Sequence, residues 1–125
     1  MERKKILLIE DEEILIDLYR EVLEEQGGFQ LLTSRDALEG LEIARKEKPN
    51  LILLDLLLPE YDGEYFLEKR LEDPLLYQIP VVVFTNWKTE GLDKQLSKYN
   101  ILGIISKADT APQELLEKVR EYLKE

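Results

Sequence analysis

Three carboxylates, a hydroxyl and an ammonium fall where short apolar runs of this sequence stop. Glu10 and Asp11 follow Ile6-Leu7-Leu8-Ile9, and Asp55 follows Leu51-Ile52-Leu53-Leu54. Thr85 follows Val81-Val82-Val83-Phe84, and Lys107 follows Gly103-Ile104-Ile105-Ser106. Taken singly each is ordinary, since an acid after a strand commonly just opens a solvated loop. Brought together they form a specific inventory. Packed carboxylates raise one another's pKa unless a cation neutralises them. Mg²⁺ takes one or two carboxylates, keeps several waters and leaves positions for a phosphoryl group. A carboxylate can then act as nucleophile and form an acyl phosphate. A lysine and a hydroxyl would donate to the phosphoryl oxygens. Such chemistry runs on positioning and electrostatics and needs no general base.

Composition narrows the possibilities. The chain has no histidine and no cysteine, which removes disulfides, thiol chemistry, zinc sites and imidazole bases. Any metal must be held by oxygen, which favours Mg²⁺, Mn²⁺ or Ca²⁺. The formal net charge of −10 argues against unaided binding to nucleic acid or anionic lipid. Solubility accounts for most of those acids. Apolar residues make up 44% of 125 residues, enough for one globular domain, residues 1–125, without room for a second. No run reaches membrane-spanning length. The run Ile6 to Ile9 is shorter than a signal-peptide core, so a cytoplasmic location is expected.

The residues can meet only if the elements before them lie side by side. The four-residue apolar runs have the character of parallel strands buried on both faces. Between them the pattern turns helical. A first helix is expected from Glu12 to Gln26, stopped by Gly27-Gly28 with a left-handed glycine cap. A strand from Phe29 to Thr33 follows, then a helix opened by a capping box at Asp36 and Glu39 and running to Lys48 before Pro49. The turn Pro59-Glu60-Tyr61-Asp62-Gly63 leads into a helix ending near Asp73, before Pro74. A weaker helix spans Gly91 to Tyr99. The last helix opens at Thr110, with Gln113 at the matching capping position, and buries Leu115, Leu116, Val119 and Leu123. Five strand–helix units with short connections predict an α/β doubly wound fold. Its five-stranded parallel sheet has the flavodoxin-like order 2-1-3-4-5 and helices on both faces. That order places the carboxyl ends of strands 1, 3, 4 and 5 around one crevice.

From Lys4 to Leu123 the chain resembles the receiver domain of two-component response regulators. The resemblance is carried by Ile9-Glu10-Asp11-Glu12, by Pro49 through Pro59 with Asp55 at its centre and Asp62-Gly63 beyond, by Phe84-Thr85 and by Ser106-Lys107. It implies that Asp55 is the phosphoacceptor. It implies that Asp11 and Asp55 ligate Mg²⁺ (or Mn²⁺), with Glu10 reaching the metal mainly through water and the backbone carbonyl of Leu57 completing the protein ligands. Thr85 matches the hydroxyl that turns toward the phosphoryl group, and Lys107 the cation paired with it. The implied donor is a phosphohistidine on a histidine kinase or histidine phosphotransfer protein, and the implied output is binding of a downstream protein target. No external substrate would be turned over. A monomer or a weak phosphorylation-dependent dimer is expected.

Several positions depart from the family pattern. Ile104 stands where an aromatic residue often couples the site to the distal face. Ala108 replaces a frequent proline, so the usual cis peptide is not expected there. Asn86 follows Thr85 where a small residue is common. Leu57 and Trp87 lie where side chains can shield a phosphoryl group from water, which predicts slow self-dephosphorylation.

For partner surfaces, the first helix carries more apolar residues than one buried stripe needs. Of these, Ile14, Leu15 and Leu18 are candidates for docking the phosphodonor. Trp87, with Leu92, Leu96, Tyr99 and Ile104, is a candidate for the face that phosphorylation alters. Two other readings compete: a pseudo-receiver of the same fold that is never phosphorylated, and a haloacid-dehalogenase-type phosphatase. The phosphatase would carry an Asp-x-Asp nucleophile after its first strand, where this chain reads Glu10-Asp11-Glu12. A flavin site is weaker still, because no phosphate-cradling loop follows strand 1.

Overall fold

A computed structural model describes residues 2–86 and 90–124. Its strands are β1 (Lys5–Ile9), β2 (Gln30–Ser34), β3 (Leu51–Leu54), β4 (Val81–Thr85) and β5 (Gly103–Ser106). They form one parallel sheet in the order β2-β1-β3-β4-β5, as the alternation of strands and helices predicts.

Residues alternate across a strand, and the core divides accordingly. Leu7, Ile9, Ile52, Leu54, Val81 and Val83 face one layer, made by α2 (Ala37–Glu47), α3 (Gly63–Glu72), α4 (Pro74–Tyr77) and α5 (Leu92–Leu96). Ile6, Leu8, Leu51, Leu53, Val82 and Phe84 face the other, made by α1 (Glu13–Arg20) and α6 (Pro112–Leu123). Burial on both faces explains why these strands carry no polar alternation.

The element ends show where sequence rules held and where packing changed them. Asp36 caps α2 by accepting the Glu39 N–H at 2.8 Å, and Asp62 caps α3 by accepting that of Tyr65 at 2.9 Å. The first helix is not uniform to Gln26. After Arg20 it widens into a π-helical stretch, Glu21–Gln26, in which the Gly27 N–H donates to the Val22 carbonyl at 3.0 Å. Within it the adjacent Val22 and Leu23 both enter the core. Gly28 supplies the left-handed residue beyond it, with φ 78°.

Pro74 does not simply end α3. It opens the short α4, where a missing N–H costs nothing, and Asp73 caps that helix. The expected helix Gly91–Tyr99 is α5 followed by a 3₁₀ turn, Ser97–Tyr99. The start of α6 is one residue later than Thr110 and Gln113 suggest. Ala111 stands at the N-cap, and the Glu114 carboxylate, not Gln113, accepts its N–H at 3.2 Å. With Pro112 at the first helical position, the frame is fixed by the proline ring.

Candidate functional site

The carboxyl ends of β1, β3, β4 and β5 meet in one pocket. Glu10, Asp55 and Thr85 are buried there, as is the Lys107 side chain. Asp55 Oδ1 accepts the Thr85 hydroxyl at 2.9 Å and the Leu57 N–H at 3.1 Å. Its other oxygen, Oδ2, accepts Lys107 Nζ at 2.8 Å. The same ammonium donates to Glu10 Oε1, whose partner oxygen accepts the Glu12 N–H at 3.1 Å. Pairing of neighbouring strands puts these groups in register: Ile9 lies opposite Leu54, and Thr85 opposite Ser106.

Burial pushes the Glu10 carboxyl above its ordinary pKa, against the opposing pull of Lys107. For Lys107, burial alone would lower the pKa. Its hydrogen bonds to Asp55 and Glu10 outweigh that, and the net shift is upward. The ammonium therefore stays charged, 5.6 Å from the centre of the Phe84 ring, whose face attracts a cation.

Asp11 stands at the rim, half-buried. One carboxylate oxygen from each of Glu10, Asp11 and Asp55 lies within 4.8 Å of the others. Three acids against one lysine leave uncompensated negative charge, and every donor is a hard oxygen. That set fits a divalent cation of the Mg²⁺ or Mn²⁺ kind. A cleft of about 330 Å³ lined by Asp11, Arg35, Asp36, Pro59 and Glu60 opens beside it.

Residues 6–120 match the family model described as the response regulator receiver domain. The chain belongs to the receiver-domain family. It is 31% identical over 120 residues to the polar-differentiation response regulator DivK of Brucella anthropi, covering 96% of each protein. The phosphorylated cyanobacterial phytochrome response regulator RcpA superposes with a TM-score of 0.83 at 31% identity, covering 97% of this chain and 94% of that one. The Mn²⁺-bound form of response regulator Rcp1 gives 0.81 at 29% identity, covering 96% and 94%. Receiver domains are in general signalling modules and not enzymes.

Within this receiver domain the other singled-out residues are placed unevenly. Ile14 is 82% exposed and Leu18 lies one turn on at the surface, whereas Leu15 packs partly against the core. Leu57 is 54% exposed beside Asp55, and Ile104 is exposed on the edge strand. Trp87 lies outside the described residues. Tyr99 is not a surface residue. It is 1% exposed, as are its companions Leu92 and Leu96 nearly so, because α5 and the 3₁₀ turn bury their apolar side against the sheet. Asn86 bonds to the loop after β5. Its Oδ1 accepts the Ala108 N–H at 2.7 Å, tying the loops after β4 and β5 together. No cis peptide occurs among the described residues, Lys107–Ala108 included.

Sequence reasoning named Gly63 only as part of a turn and a motif, without its packing role, and missed Glu64 and Arg70. A Cβ on Gly63 would lie 2.5 Å from the Asp55 carbonyl oxygen and 2.7 Å from Leu56 Cα, so only glycine lets α3 start this close to the pocket. Arg70 left a legible mark: it falls one turn beyond Phe66 and Leu67, on the helix face that should be apolar.

No helix of the described residues is long and apolar enough to cross a membrane.

Proposed function

We propose that this receiver domain takes a phosphoryl group from a partner's phosphohistidine onto Asp55 and thereby alters the surface it presents to a downstream protein. One Asp55 carboxylate oxygen attacks phosphorus, the P–N bond to the donor imidazole breaks, and the imidazole leaves with its electron pair to be protonated by solvent. Asp11 and Asp55 would hold Mg²⁺ or Mn²⁺, with Glu10 acting through water and the Leu57 carbonyl as the remaining protein ligand. When bound, the ion offsets charge on the phosphoryl oxygens. Lys107 and Thr85 already hydrogen-bond the two Asp55 oxygens, and they are positioned to pass those bonds to phosphoryl oxygens as the carboxylate becomes an acyl group.

The observation that carries this reading is the burial of a lysine bonded to two carboxylates, with a third acid at the rim. A purely structural core gains little from it, since desolvating three charges costs more than one ion pair returns. Ile14 and Leu18, beside the Glu10–Asp11 loop, are the proposed docking point for the donor. The domain turns over no external substrate. The reading extends to the whole chain as one receiver unit.

Intact-mass measurement after incubation with acetyl phosphate and Mg²⁺ tests the assignment. A single phosphoryl adduct is expected, absent from Asp55→Asn. Absence of an adduct with every donor would leave the pseudo-receiver reading standing instead.

A further inference from the structure

The segment Leu92–Asn100 is fastened to α3 by two residues that the phosphoacceptor chemistry does not use. Arg70, 2% exposed, spends its guanidinium on main-chain carbonyls. It reaches Ile79 at 2.9 and 3.2 Å, Tyr77 at 3.1 Å, Tyr99 at 2.8 Å and Asn100 at 3.4 Å. Glu64, on the first turn of α3, accepts the Tyr99 hydroxyl at 2.8 Å and the Gln95 amide at 3.1 Å. Tyr99 is thus gripped at both ends, its carbonyl by Arg70 and its phenol by Glu64. The two grips are about 9 Å apart along the helix axis at 1.5 Å per residue. Burial, with the adjoining Glu64 carboxylate, holds the phenol in its protonated, donating form.

The upper grip abuts the pocket. Glu64 follows Gly63, whose N–H donates to the Leu56 carbonyl at 3.0 Å. The missing side chain of Gly63 leaves the helix in contact with the Asp55 and Leu56 backbone. Phosphorylation turns the anionic Asp55 carboxylate into the acyl part of an acyl phosphate, so its bonds to Leu57 N–H, Thr85 and Lys107 must be redistributed. Because Gly63 packs directly on the Asp55 and Leu56 backbone, a shift of those peptides presses on the start of α3. Ile104, an aliphatic residue exposed on β5, has no polar atom with which to follow the Thr85 hydroxyl.

We infer that α3 passes the state of Asp55 to the segment Leu92–Tyr99 through Glu64 and the Tyr99 hydroxyl, with Arg70 as the fixed point of the linkage. This inference rests on the proposed phosphorylation of Asp55. A ligand shifts a conformational equilibrium only by contacts that differ between its two states, and the Glu64–Tyr99 bond is the contact assigned here.

Hydrogen exchange on the full chain tests it, with wild type, Tyr99→Phe and Glu64→Ala each measured before and after acetyl phosphate with Mg²⁺. Intact mass on the same samples reports the adduct. Tyr99→Phe keeps the buried ring and removes only the bond. In wild type, phosphorylation is expected to change exchange of the Leu92–Tyr99 amides about tenfold, corresponding to a coupling of typical size. Both variants should form the same adduct while that change disappears. An equal change in wild type and Tyr99→Phe would overturn the inference, as would full adduct with unaltered exchange in wild type. Absence of the adduct in wild type would overturn the Asp55 assignment and the inference together, a failure distinguishable by mass alone.

Discussion

Lys107 Nζ lies 2.8 Å from Asp55 Oδ2 and bonds Glu10 with the same ammonium, so one cation serves two buried carboxylates. Replacing it with Met leaves both without a charged partner. Lys107→Met is expected to lower stability by about 3 kcal/mol, the scale for orphaning a buried charge. Added Mg²⁺ should raise the urea midpoint more in the variant than in wild type, because the ion no longer competes with an ammonium. Paired unfolding curves with and without Mg²⁺ check both statements.

Leu57 donates its N–H to Asp55 while its side chain stands largely in solvent beside the pocket. An apolar side chain there obstructs the water that would attack phosphorus. Leu57→Asn should shorten the lifetime of the acyl phosphate severalfold without changing how much adduct forms at saturation. Decay of the adduct, followed by intact mass after donor removal, reads this directly.

Ile14 buries almost nothing in the isolated chain. Ile14→Asp should therefore leave stability within about 0.5 kcal/mol of wild type. If the α1 surface receives the donor, transfer from a phosphorylated histidine phosphotransfer domain should fall about tenfold, a loss of roughly 1.4 kcal/mol. Labelling by acetyl phosphate, which needs no docking surface, should be unchanged.

A pH dependence follows from Asp73. The hydrogen bond from Arg45, 2.9 Å from Asp73 Oδ2, holds this carboxyl below its ordinary value, helped by the Leu75 and Leu76 N–H groups it caps. A carboxyl with a depressed folded-state pKa stabilises the fold fully above its unfolded value, about pH 4. That contribution is lost as the pH falls through the folded value. The gap in urea midpoint between wild type and Asp73→Asn should thus be widest near neutrality and close in acid. A gap that widened in acid would contradict the ion pair.

Most of the fold was legible because its strands are short apolar runs and some helix ends carry clear signals, such as the Asp36 cap before α2 and Gly28 after the π-helical stretch. The pocket was legible for a related reason: strand order alone decides which loop residues converge, and the order follows from the alternation of elements. What escaped was set by packing between elements. The π-helical stretch puts Val22 and Leu23 inward together, a pattern that α-helical spacing reads as a wide apolar face. Tyr99 looked like a surface aromatic because nothing local says that Glu64, far away in sequence, will take its hydroxyl. Arg70 was passed over on a charged helix, although its position on the apolar face marked it. Asn86 was placed correctly after β4, but its partner, the Ala108 N–H, becomes available only when β4 and β5 pair.

The side-chain bonds that close the pocket join residues distant in sequence. Lys107 is separated from Asp55 by 52 positions and from Glu10 by 97, and Thr85 from Asp55 by 30. Contacts so distant in sequence form late, after the loop-closure entropy between them has been met. A nascent chain emerging from the ribosome therefore cannot assemble the site until β5 has been synthesised and has docked at the sheet edge. If Asp55 accepts a phosphoryl group as proposed, that competence arrives with the last strand, and a truncated copy without Lys107 in the pocket does not compete with the finished protein for the donor.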